Sequence, residues 1–227
     1  MMKIILASQG FTTNEIEKEV ALIVGKPAKE INIVIINESA FMIDKSKSKR
    51  WLIKELSNIE KHIGGRIDFI DFYMQSIEEI KERLFSSDLI YIVGGKQHIY
   101  SKIFNETNLV EFLNEIANKK VIMGTSAGAI VLGKTIQSER FWKERYNCKL
   151  NDFEYNELEL VPFNIVPHFM REDRKKWTSE FLKDLLSDNP FPVYAITDEQ
   201  AVAYIDGKIK YIGGKPEIFG RRSSNIL

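Results

Sequence analysis

Five residues, Gly124-Thr125-Ser126-Ala127-Gly128, carry the clearest chemistry in the chain. They follow the apolar run Val121-Ile122-Met123 and precede Ala129-Ile130-Val131-Leu132, a pattern of strand, sharp turn and helix. A serine at the centre of G-x-S-x-G in that context is a nucleophile elbow. The turn holds the hydroxyl out of the sheet, and the flanking glycines allow close approach of backbone and substrate. A serine hydroxyl is a weak nucleophile near neutral pH, so it needs a base within reach and a third group that orients the base.

The chain has three histidines. His62 stands at the end of an amphipathic helical pattern beside Lys61, where a solvated surface role is expected. His98 lies just past Gly94-Gly95, placed either to border a site there or to pack on a helix surface. His168 follows an apolar strand-like run and precedes Phe169, which makes it the preferred base. For the orienting acid, Asp198 stands directly after the apolar run Val193 to Ile196, with Glu199 as the adjacent rival. Backbone N–H donors for an oxyanion are offered by Ala127, the residue after the nucleophile, and by Gly95 or its neighbour Gly94 after another strand.

The order Ser126, His168, Asp198 separates hydrolase classes. In α/β-hydrolases the acid precedes the histidine, whereas here it follows, and no histidine comes after His168. Asp152 and Glu159 do precede His168, but within an irregular stretch. A lipase-like or acyl-ester hydrolase is therefore the weaker alternative, beside a non-catalytic binding protein. Transfer of glutamine nitrogen is disfavoured because it uses a cysteine at the elbow, and the single Cys148 lies elsewhere.

These residues need elements to position them. Ile4 to Ala7, Ile31 to Ile36 and Leu89 to Val93 are nearly continuous apolar runs, the pattern of strands covered on both faces. Ile67 to Phe72, Val161 to Val166 and Val193 to Ile196 add further strands. Helical spacing runs from Asn14, capped by Asn14 with Glu17 completing a capping box, and over Ser46 to Ile63, Ile77 to Phe85, Leu109 to Lys119 and Asp173 to Leu186. Ala201 to Ile212 reads as a hairpin about Asp206-Gly207. Thr135 to Leu160 reads as an irregular excursion, either a connection packed by its aromatics or a lid near the elbow. Strands alternating with helices predict βαβ units and a three-layer α/β/α sandwich with a mostly parallel central sheet, ligands lying at the carboxyl ends of its strands.

At 227 residues with 44% hydrophobic content, one domain spanning 1–227 is expected. Lys and Arg balance Asp and Glu to a formal net charge of zero, without a basic block to meet a phosphate backbone. Nucleic acid is thus a poor partner. The lone cysteine gives no internal disulfide and no metal-ligand cluster, which fits a cytoplasmic location. The first apolar run is too short for a signal-peptide core, and no segment approaches a membrane span.

Val93-Gly94-Gly95, Gly124-Thr125-Ser126-Ala127-Gly128-Ala129, Val166-Pro167-His168-Phe169 and Ile196-Thr197-Asp198-Glu199-Gln200-Ala201 together resemble the dipeptidase E and cyanophycinase family of serine peptidases. The resemblance implies a fold similar to class I glutamine amidotransferase domains and a serine peptidase acting on a small peptide without metal or cofactor. It implies Ser126 as nucleophile, His168 as base and Asp198 as acid, with Gly95 and Ala127 forming the oxyanion hole. Lys96-Gln97-His98 departs from the third glycine and Asn-Thr common in the family. In aspartyl dipeptidases a basic residue beyond the histidine helps select an acidic P1 residue; Arg171 and Arg174 fall in that region. A solvated helix start with Glu172 and Asp173 is the competing reading of both arginines. A homodimer is compatible with the chain, whose oligomeric state the sequence leaves open.

Overall fold

The computed structural model describes residues 2–42, 48–152, 154–174 and 177–221, the side chains of Tyr146, Asn151 and Arg174 excepted. The Ile- and Val-rich runs form β1 (Lys3–Ala7), β2 (Ile33–Ile36), β3 (Ile67–Phe69), β4 (Leu89–Ile92) and β5 (Val121–Thr125). Among the described residues these five pair in parallel in the order β3-β2-β4-β5-β1. The sheet is extended antiparallel by the hairpin β8 (Ala201–Ile205) and β9 (Lys208–Ile212).

Alternate residues of each strand serve opposite faces, which is why the runs are apolar throughout. Ile5, Ala7, Ile33, Ile35, Tyr91 and Met123 pack beneath α1 (Asn14–Val24) and α3 (Arg50–His62). Ile4, Leu6, Ile90, Ile92 and Ile122 face α4 (Ile77–Ser86), α5 (Gln97–Glu106), α6 (Leu109–Ile116) and α7 (Ala127–Leu132). This is the expected three-layer α/β/α sandwich. The short α2 (Glu38–Phe41) lies after β2. No helix among the described residues is long and apolar enough to cross a membrane.

The late strands depart from expectation. β6 (Asn164–Pro167) and β7 (Val193–Ile196) do not join the central sheet; with β10 (Glu217–Phe219) they form a separate three-stranded sheet in the order β10-β7-β6. One face of this small sheet, through Ile165, Tyr194 and Ile196, completes the α7 side of the main core. Its other face is covered by Phe141 and Trp142 of α8 (Glu139–Tyr146) and by Leu182 and Leu185 of α9 (Ser179–Leu185). The stretch from Thr135 to Leu160 thus contains a packed helix, with the Trp142 indole N–H donating to Ile136 O at 2.6 Å.

Local chemistry explains the other differences. The first helix is capped by Thr13, whose extended backbone lets its hydroxyl accept from Ile16 N, rather than by Asn14. With Thr13 as the cap, N3 is Ile16, so Glu17 falls one position beyond a capping box, and its carboxylate meets His62 instead. Gln97 to Glu106 forms α5 without having shown a helical pattern, since buried Gln97 and Ser101 interrupt its apolar face. Asp173 to Leu186 divides into a 3₁₀ turn at Glu172–Arg174 and α9, which begins afresh where Thr178 caps Phe181 N. Ser46 and Lys47, the predicted start of α3, and Lys175 and Lys176 lie outside the described residues.

Candidate active site

Parallel register brings the site together. Ala7 lies opposite Thr125, so Ser8 and Ser126 leave neighbouring strands side by side, and Ile92 opposite Gly124 puts the Gly94-Gly95 turn on their other flank. In the small sheet Pro167 lies opposite Ile196, so His168 and Asp198 also emerge at one end of adjacent parallel strands. Asn164 fixes this sheet against the elbow helix, its buried side-chain amide donating to Ile130 O and Lys134 O.

The elbow is built by close approach. A Cβ at Gly124 would lie 2.1 Å from Gly128 O, and one at Gly128 would lie 2.2 Å from Ile92 O, so only glycine fits at either position. Ser126 itself sits at φ 50°, ψ −113°, a strained conformation for a residue with a side chain. It is held there by donating its N–H to Ala7 O and accepting from Ile130 N. His168 is likewise in the left-handed region, at φ 62°.

Ser126 Oγ lies 3.0 Å from His168 Nε2, and His168 Nδ1 lies 2.5 Å from Asp198 Oδ1. Glu199 is exposed and makes no such approach. The network favours the tautomer in which Nδ1–H donates to Asp198 and the Nε2 lone pair meets the serine hydroxyl. Burial pulls the His168 pKa below the ordinary 6.5, aided by the charges of Arg171 and Arg145, and outweighs the opposing pull of Asp198. Burial would raise Asp198, but the hydrogen bond and charge of His168, the Ser8 hydroxyl and Arg171 together hold it below its usual value. A neutral imidazole beside an ionised carboxylate is the resting state that general-base chemistry requires.

Ser8, the residue directly after β1, belongs to this network. Its hydroxyl donates to Asp198 Oδ1 at 2.8 Å and accepts from His168 N at 2.8 Å. Thr12 adds a bond to Asp198 O at 2.8 Å. Nothing in local sequence singles out a serine after the first strand; its partners are brought to it by the second sheet.

A cavity of about 260 Å³ opens over Ser126, lined also by Ser8, Gln9, Trp51, Glu55, Gly94, Gly95, His168 and Arg171. Arg171 Nη1 lies 3.6 Å from Asp198 Oδ2, while the rest of its guanidinium pairs with Asp173 at 2.6 and 2.9 Å. The side chain of Arg174 lies outside the described residues. None of the described lining residues comes from 135–160, although the charge of Arg145 in that stretch acts on His168.

Residues 9–212 match peptidase family S51. The chain belongs to that family. S51 is the dipeptidase E family, so the protein is a serine-type peptidase, and the elbow described above is set in an S51 framework. An uncharacterized peptidase of Listeria monocytogenes is 27% identical over 150 residues, 64% of this chain and 70% of the relative. One from Pasteurella multocida is 26% identical over 127 residues, 55% and 60% respectively. The fold is similar to that of a crystallised protein from Listeria monocytogenes described as a candidate peptidase E, with TM-score 0.68 and 20% identity over 93% of this chain and 98% of that one. A peptidase from an acI-B1 actinobacterium is similar at TM-score 0.63 and 16% identity, over 97% and 94%.

The other two histidines stand apart from Ser126. His62 is buried, not solvated, with Nδ1 at 2.5 Å from Glu17 and its ring stacked 6.3 Å from Phe11. His98, the second residue of α5, lines a separate crevice with Thr135, Trp142 and Glu157. Cys148 is a free thiol, contacting Trp142 O at 3.8 Å.

Proposed function

We propose that this S51 peptidase hydrolyses small peptides through an acyl-enzyme on Ser126. The observation that carries the reading is the continuous chain of contacts Ser126 Oγ to His168 Nε2 to Asp198 Oδ1, at 3.0 and 2.5 Å. His168 takes the hydroxyl proton as Ser126 Oγ attacks the scissile carbonyl carbon. The resulting oxyanion is met by the backbone N–H groups of Gly95 and Ala127. Ala127 opens α7, where the first amides have no partner within the helix. His168 then returns the proton to the leaving amine as the C–N bond breaks. Water repeats the sequence on the acyl ester, and Asp198 stabilises the imidazolium throughout without taking the proton.

The small cavity suits a short peptide better than an extended chain. Arg171 on its wall supports a preference for an acidic P1 residue, whose carboxylate would compete with Asp173 for the guanidinium. The limited size of the cavity supports dipeptidase action. The lone cysteine is consistent with a cytoplasmic enzyme.

Ser126→Ala, assayed against a panel of dipeptides and with a fluorophosphonate probe, tests the mechanism. The expected result is no labelling and a loss of hydrolysis of roughly a million-fold. Peptide turnover that survives the substitution would sink it.

A further inference from the structure

The one-turn helix α2 buries Glu38, Ser39 and Ala40. Its position follows from strand register. β2 and β4 pair in parallel with Ile36 opposite Ile92, and Val93 N donates to Ile36 O at 3.0 Å, so the chain leaving β2 runs beside the Gly94-Gly95 turn. Ser39 is fully buried there. Its hydroxyl accepts from Lys96 N at 2.6 Å and donates to Lys96 O at 2.9 Å, so one side chain holds both backbone groups of the residue that follows Gly95. Lys96 itself is exposed, caps the start of α5 and makes no capping bond through its own side chain.

Gly95 is shaped by the same serine. It sits at φ 155°, a conformation that suits glycine, and a Cβ there would lie 2.5 Å from Ser39 Oγ and 2.9 Å from Ser39 Cβ. On the opposite flank of the turn, a Cβ at Gly94 would lie 3.4 Å from Ser126 Cβ. The Gly94-Gly95 peptide, which carries the Gly95 N–H, thus lies between the nucleophile and Ser39. From this geometry we propose that Ser39 is a positioning residue: by fixing the Gly95-Lys96 peptide it sets the direction in which the Gly95 N–H meets the oxyanion. The proposal rests on the acyl-enzyme reading for its catalytic consequence, whereas the two hydrogen bonds to Lys96 stand independently of it.

The helix that carries Ser39 is itself fixed. Glu38 accepts from Asn37 N at 3.1 Å and from Phe72 N, beyond the edge strand β3, at 3.3 Å. This ties α2 to the sheet on the side away from Gly95. The residue type at 39 matters too, because a hydroxyl both donates and accepts, which an apolar side chain of its size cannot do. In Ser39→Ala the Lys96 N–H loses its acceptor, and the backbone dihedrals of Gly95, which no side chain restricts, are free to turn the neighbouring amide. An oxyanion donor contributes only if it is in place where charge develops, so a loosened turn costs rate rather than substrate binding.

The test compares wild type with Ser39→Ala in the full chain. Hydrogen exchange at the ¹⁵N-labelled Lys96 amide, followed by NMR, should be roughly 10-fold faster in the variant. The kcat for dipeptides should fall by roughly 10- to 100-fold with little change in KM. The rate of labelling of Ser126 by a fluorophosphonate, whose phosphoryl oxygen takes the oxyanion position, should fall by a similar factor. A role in folding alone would lower the urea midpoint and leave kcat and the labelling rate of the folded protein as in wild type. Ser39→Cys, whose thiol donates and accepts weakly, should give the same changes at smaller size, and it serves if Ser39→Ala does not fold. Lys96 exchange unchanged by the substitution, a labelling rate equal to that of wild type, or a KM that rises while kcat holds would each overturn the proposal. Hydrolysis retained by Ser126→Ala would defeat the acyl-enzyme reading alone, because Lys96 exchange is measured without substrate and does not depend on the nucleophile.

Discussion

Ser8 and Asp198 lie 190 positions apart in the chain, and the Ser8 hydroxyl donates to Asp198 Oδ1 at 2.8 Å. The same hydroxyl accepts from His168 N, so one small side chain at the end of β1 ties both Asp198 and the backbone of His168 to the central sheet. The two sheets meet at this bond.

Ser8→Ala should therefore act on both catalysis and stability. The buried His168 N–H loses its acceptor, at a cost of about 1–3 kcal/mol, and Asp198 loses a donor that holds it ionised and in place. We expect kcat/KM to fall by roughly 10-fold or more through misorientation of the base. Steady-state kinetics and urea denaturation would check both; wild-type values in each would show that Ser8 only fills space.

Asp198→Asn should lower kcat by roughly 10⁴-fold, because the amide can hold the imidazole in the wrong tautomer. Glu199→Gln, at an exposed neighbour that does not reach His168, should be close to neutral. A reversal of that ranking would transfer the orienting role to Glu199.

Arg171→Ala should lower turnover of Asp-X dipeptides more than that of Ala-X dipeptides. The ratio should change by roughly 10- to 100-fold, the equivalent of a charged hydrogen bond worth about 1.5–3 kcal/mol. The ratio is the diagnostic quantity, because Arg171 also lies 3.6 Å from Asp198 and its loss will lower both rates. Equal turnover of the two substrates by wild type would dispose of the acidic preference.

Stability should fall as pH rises from about 4.5 to about 7. Burial pushes the carboxyls of Glu38, Glu55 and Glu157 from 4.5 to about 7, so in that window the folded chain keeps protons that the unfolded chain has released. His168 works the other way. Burial lowers its pKa below 6.5, so its contribution is lost on acidification and regained as pH rises to that value. Three carboxyls against one imidazole make the net slope negative. Glu157→Gln, outside the catalytic cavity, should flatten the decline in melting temperature between about pH 5 and pH 8; an unaltered slope would remove Glu157 from the account.

The amino-acid sequence alone determined the features that depend on near neighbours. Burial on both faces makes the strand runs apolar throughout, and the steric demand at Gly124 and Gly128 writes the elbow into five consecutive letters. His168 and Asp198 could be singled out because each directly follows an apolar strand-like run. What the tertiary structure decided is everything that depends on partners distant in the chain. Two strands with the same apolar signature as the others left the central sheet, because nothing in a buried run states which strand it pairs with. His62 was read as a surface residue because its helical position is legible but Glu17, its partner across the fold, is not. Ser8 and Glu55 carried no local signal at all. A serine after a strand and a glutamate in a helix are ordinary until the packing of one sheet against another, and of α3 beneath β4 and β5, sets their oxygens against Asp198 and Thr125.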